Sequence, residues 1–127
     1  MISFDMADSR SFVRVENMDR GTTVGDRIRV ARSLVDRTVG LLRTRSLSAG
    51  EGLWIERASS IHMFFMRYPI DAVFVAADGR ATKVVRNLRP WRVVWWARGA
   101  RDCLELPAGA ADRSEIQVGD RLRLVVG

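Results

Sequence analysis

A chain of 127 residues, 47% hydrophobic and 28% charged, has room for one domain with its own core. With no run of about 18 apolar residues, one cysteine and one histidine, it excludes a membrane-spanning helix, an internal disulfide and a zinc finger. The net charge of +6 comes almost wholly from arginine, since Lys83 stands alone beside 20 arginines; such a chain attracts polyanions, although a GC-rich genome produces the same bias.

Residues 1–20 are polar, mixed in charge and aperiodic. They are expected to form a loose N-terminal extension ahead of one β-rich domain over 21–127, with Phe12, Val13 and Val15 suited to a short edge strand and Met18 a second candidate start. The acids in MISFDMADSR are unlike a signal peptide, which points to the cytoplasm. VGDRIRV over 24–30 reads as a turn at Gly25 and Asp26 launching a strand, with Ile28 and Val30 on one face and Arg27 and Arg29 on the other. Ser33 then suits the cap of a short helix whose Leu34, Val35, Thr38, Leu41 and Leu42 share a side, weakened near Gly40. Turns at Gly50 and Gly52 lead into a strand over 53–56.

In IHMFFMRYPIDAVFV, residues 61–75, alternation puts Ile61, Met63, Phe65 and Arg67 on one face and His62, Phe64, Met66 and Tyr68 on the other. Both faces are largely apolar, so the segment is expected between two layers. After Pro69 a strand over 71–76, a turn at Asp78 and Gly79 and a partner strand form a hairpin. Pro90 breaks the ladder, and VVWW is a strand or a protruding loop. A strand over 102–106 ends at Pro107 and Gly109, ADRSEI makes one helical or tight turn, and VGDRLRLVV closes the chain as a strand. VGDRLRL over 118–124 nearly repeats 24–30 and is read as the same local solution, a Gly-Asp turn launching a strand. The sum is an all-β chain: a compact β-sandwich or partly open barrel of about seven to nine short strands with one short helix.

TVGLLR, SLSAGEGLWI, FFMRYPIDAVFV with DGR, LRPW, LELPAG and GDRL, in this order and spacing, resemble the domain-of-unknown-function 192 family from about residue 24 to 126. The resemblance implies a compact β-rich sandwich or barrel and leaves the activity open. By match, the family's motifs fall on Met66, Arg67, Pro69, Ile70 and Asp71, on Pro90, on 105–109, and on Gly119 and Asp120.

Three groups of residues carry chemistry. The first is a binding site for a small polar or anionic ligand, or a partner protein, at the sheet end: His62, Arg67, Asp71 and Glu105, with Phe65, Tyr68 and Trp91 as walls. A charged residue inside an apolar strand needs a partner, so Arg67 is expected to pair with Asp71 or Glu105, most simply as a structural ion pair. The alternative is weak nucleic-acid binding through the 86–101 segment, where Arg86, Arg89, Arg92, Arg98 and Arg101 alternate with Trp91, Trp95 and Trp96. The competing reading there is tryptophans in the core under arginine stems. A hydrolase-like enzyme around His62 comes third, since Ser59, Ser60 and Cys103 sit in no nucleophile signature. No metal or other cofactor is expected, because the ligand residue types show no spaced motif.

Overall fold

The computed structural model describes residues 12–32, 46–63, 66–94 and 96–126, with His62 described by its backbone alone. Nine strands run through these residues: β1 Phe12–Asn17, β2 Thr22–Ala31, β3 Glu51–Ile55, β4 Ile61–His62, β5 Ile70–Val75, β6 Ala81–Leu88, β7 Val93–Val94, β8 Asp102–Pro107 and β9 Leu122–Val125. One helical turn, α1 Ala110–Arg113, separates β8 from β9. Seven strands form a mixed sheet in the order β6-β5-β8-β3-β2-β1-β9, and β4 pairs with β7 as a separate ribbon. All pairings are antiparallel except β2 with β3.

The sheet curls until its two edges touch at one end. Arg80, in the β5–β6 turn, bridges to Arg121 just before β9. Gly79 O accepts from Leu122 N at 2.8 Å, and Ala81 N donates to Asp120 O at 2.8 Å. Only glycine fits at position 79, because its φ is +92° and a Cβ there would stand 2.8 Å from Leu122 O. The fold is therefore the expected β-rich, partly open barrel, and the Asp78–Gly79 hairpin is the clasp that nearly closes it.

Every residue of β5 and β8 is buried, because apolar layers cover both faces of the sheet there. On one face Val73, Val75, Leu104 and Leu106 pack with Val15, Ile28, Leu122 and the alanines of α1. On the other, Ala72, Phe74 and Cys103 pack with Leu53, Ile55, Ile61, Met63, Met66 and Val94. The second core lies under the β4–β7 ribbon.

Two expectations change. Of the segment read as a loose extension, residues 12–17 form β1, which is no edge strand but lies between β2 and β9 with Val13, Val15 and Asn17 buried. Its outward Arg14 and Glu16 give it a polar look that conceals a half-buried strand. Because β1 supplies a partner, β2 starts at Thr22, and Gly25–Asp26 is not a turn. It lies in the strand, where the β1–β2 register shifts on either side of Gly25. In the second heptapeptide Gly119, at φ +97°, does turn the chain. The two copies therefore differ in structure, yet both flank β1, and Ile28 and Leu122 occupy the same core. The helix expected after Ser33 lies outside the described residues. VVWW contributes β7 at Val93–Val94.

Candidate functional site

The register separates the residues expected to converge at the sheet end. Asp71 pairs with Leu106 and Ala72 with Glu105, so the Asp71 and Glu105 side chains leave opposite faces of the sheet. Asp71, 1% exposed, accepts from Asn87 N at 2.9 Å, Gly109 N at 3.0 Å and Ala111 N at 2.9 Å. Its carboxylate thus fixes the start of α1 from a neighbouring strand, in the manner of an N-cap supplied through space. Arg67 is exposed and makes no ion pair among the described residues, so the expected Arg67–Asp71 or Arg67–Glu105 pair does not form. The backbone has taken the place of the guanidinium. Tyr68 is half-buried against the second core, and the side chains of His62 and Phe65 lie outside the described residues.

Glu105 is 6% exposed and has no hydrogen bond or ion pair among the described residues. Burial raises its pKa from 4.5 to about 7. Cys103, fully buried on the same face, has its thiol pushed well up, first by burial and then by the Glu105 and Asp102 charges. A sealed, strongly protonated thiol is a poor nucleophile. No group of three or more His, Cys, Asp or Glu side chains among the described residues is placed to hold a metal ion.

The arginine–tryptophan segment has a different placement. Along β4 and β7 the chain forms an extended ladder: Trp91 N donates to Met63 O at 2.7 Å, Met63 N to Arg92 O at 2.7 Å, Ala97 N to Ser59 O at 2.7 Å and Ala58 N to Arg101 O at 2.8 Å. The inward positions Ile61, Met63, Val94 and Ala97 seal the second core. Trp91 and Trp96 are 59% and 67% exposed, so neither belongs to the core as the competing reading had it. Trp91 also holds a φ of +70°, a left-handed conformation that costs a non-glycine residue on the order of 1–3 kcal/mol. Arg57, Arg67, Arg89, Arg92, Arg98 and Arg101 are all exposed on this layer. Among the described residues only the Arg101 guanidinium leans on an acid, Asp102, at 3.5 Å, and the same carboxylate accepts from Arg57 N at 3.1 Å. Trp95 lies outside the described residues. Arg86 leaves the set: its guanidinium grips Asp112 at 2.7 Å and Ile116 O at 2.9 Å, beside α1.

Charge is distributed unevenly over the chain. Residues 57–70 and 88–101 contain six of the 21 basic residues and no Asp or Glu. The other 15 basic residues equal the 15 acidic ones in number, so these two stretches of sequence account for the net +6.

Comparison with known proteins places the chain. The family of uncharacterised proteins known as domain of unknown function 192 (Uncharacterized ACR) matches residues 14–124. The chain belongs to this family. Its relatives include UPF0127 proteins of Thermococcus sibiricus, 28% identical over 84% of this chain and 71% of that one, and of Pyrococcus horikoshii, 30% identical over 76% and 85%. Two solved structures share the fold at 25% identity. One is a protein of unknown function from Novosphingobium aromaticivorans, with TM-score 0.75 over 87% of this chain and 82% of that chain. The other, from Sinorhizobium meliloti, is described as a "putative transcription regulator", with TM-score 0.77 over 88% and 91%.

The family motifs of the domain-of-unknown-function 192 chain have structural work here. Ile70 is core, and Asp71 and the 109–111 backbone hold each other. Buried Asp120 takes Asn17 Nδ2 at 3.0 Å, Arg20 Nε at 3.1 Å and Gln117 N at 3.0 Å. Burial raises its pKa, but these partners outweigh that and hold it below the usual value. Sequence reasoning missed Arg57 as a member of the basic layer. The signal was present in the acid-free run on both sides of β4, but it becomes one surface only after β4 pairs with β7.

Proposed function

We propose that this domain-of-unknown-function 192 protein is a binding module for single-stranded nucleic acid, and that the β4–β7 layer is its binding surface. The observation that carries this reading is that residues 57–70 and 88–101, which flank and form the β4–β7 ribbon, hold six exposed arginines and two exposed indoles and contain no Asp or Glu. Guanidinium groups neutralise backbone phosphates, and indole faces accept stacked bases without regard to sequence. A double helix hides its base faces, so exposed indoles favour the single strand.

Tryptophan fluorescence during titration with single-stranded oligothymidylate of about 20 nucleotides tests the proposal. Quenching is expected with saturable binding, and Trp96→Ala is expected to lose about 1–3 kcal/mol of affinity. Equal binding by wild type and Trp96→Ala, or preference for duplex of the same length, argues against it. Binding to anionic vesicles with no oligonucleotide binding assigns the layer to a membrane surface instead.

The small-ligand site at Arg67, Asp71 and Glu105 has less support, because Asp71 and Glu105 are buried on opposite faces while Arg67 faces solvent.

A further inference from the structure

A groove lies on the side of the sheet that carries α1, opposite the basic layer. Of about 350 Å³, it runs between β2 at residues 23–26, the turn at Ala49 and Gly50, and α1 at Ala110 and Arg113 with Ser114 just after it. That volume lies at the small end of ligand sites. The groove exists because β2 outruns its neighbour. β2 pairs with β1 from Thr22 onward, whereas the pairing with β3 begins only at Arg27. The edge before Arg27 therefore faces α1 across open space.

Each wall is fixed. Arg27 N donates to Gly50 O at 2.8 Å, which sets the 49–50 turn. Gly25 allows the approach, because a Cβ there would stand 2.9 Å from Gly50 O and 2.6 Å from Ile28 Cδ1. On the far wall, Asp71 holds Gly109 N and Ala111 N, and Thr22 Oγ1 donates to Ser114 O at 2.6 Å. The groove is thus preformed, so a ligand need not order its walls on binding.

The groove presents two opposite charges that do not neutralise each other. Asp26 leans over Gly50, with Oδ1 2.7 Å from where a glycine Cβ would be. Arg113 folds over Gly109, with Nη1 3.0 Å from the corresponding point. Both side chains are exposed, and neither has an ion pair among the described residues. Asp112, beside Arg113, is already held by Arg86. The rest of the lining includes the small residues Gly25, Ala49, Gly50 and Ala110, with Thr23.

We propose that this groove binds a free amino acid, its ammonium on Asp26 and its carboxylate on Arg113. An anion alone would meet Asp26, and a cation alone would meet Arg113. A small zwitterion satisfies both and fits within the groove.

Isothermal titration with the free L-amino acids, each paired with its amide and its N-acetyl form, tests this. At least one amino acid is expected to bind one to one, with tenfold or greater loss when either charge is blocked. Asp26→Asn and Arg113→Gln are each expected to lose a similar factor without a shift in melting temperature, and Arg113→Lys to recover part of the loss. No binding by any free amino acid, equal binding of a blocked form, or wild-type affinity in both variants would overturn the proposal. Because the groove and the β4–β7 layer lie on opposite sides of the sheet, the Trp96→Ala variant is expected to bind the amino acid unchanged.

Discussion

Two buried carboxylates differ sharply in what they do, and burial alone does not distinguish them. Asp71 receives three backbone N–H groups and ties β5 to the 87 turn and to α1. Asp71→Ala leaves three backbone donors unpaired, that of Ala111 buried and those of Asn87 and Gly109 part-buried, and is expected to cost about 2–4 kcal/mol in urea unfolding. A cost under about 1 kcal/mol would mean that water replaces the carboxylate. Glu105 lacks such partners, and its pKa is raised from 4.5 to about 7. The folded state therefore holds this proton more tightly than the unfolded chain does. Its contribution is fully favourable below pH 4.5 and is lost as pH rises towards and past about 7. Glu105→Gln cannot ionise, so it is expected to flatten that part of the pH–stability curve and to exceed wild type at pH about 8 by up to about 3 kcal/mol. Parallel curves for wild type and variant would show that Glu105 stays charged or finds a partner. The sequence already put Glu105 opposite Leu104 and Leu106. Which face of β5 it shares depends on a register between strands some 30 residues apart, and local alternation cannot supply that.

At the scale of elements, local chemistry and long-range pairing divide the legible from the hidden. The β5–β6 hairpin was legible because Asp78 and Gly79 form a tight turn between two apolar runs. The β8 strand was legible because Pro107 and Gly109 end it. The place of β1 was not, since its neighbours are β2 and the last strand of the chain, and its buried Asn17 is satisfied by Asp120, more than 100 residues away. The near-identical heptapeptides illustrate the same limit. One is straightened into a strand by β1, while the other turns at Gly119. A chain begun at Met18 would lack a strand buried between two others. It is expected to show no cooperative thermal transition, and near-ultraviolet circular dichroism measures this directly. A shortened chain melting like the full one would mean that β1 adds little to the sheet.

At the scale of the molecule, the fold separates its surfaces by chemistry. One side of the sheet carries α1 and a preformed groove with an acid and a base on its walls. The other carries the β4–β7 layer with its exposed arginines. The residue types of that layer were visible in the sequence, but its membership was not. Arg86 is drawn away by Asp112, and Arg57 joins through the pairing of β4 with β7. The salt dependence of binding to single-stranded oligothymidylate tests the central claim most directly. Five arginines of the layer have no acidic partner among the described residues, which sets a logarithmic slope of about −3 to −4. Affinity should therefore fall on the order of a hundredfold between about 50 and 200 mM salt, and Arg92→Gln with Arg98→Gln should shallow the slope by about 1.4. Binding that ignores salt, or a double variant with the wild-type slope, would contradict the assignment of this layer as the nucleic-acid surface.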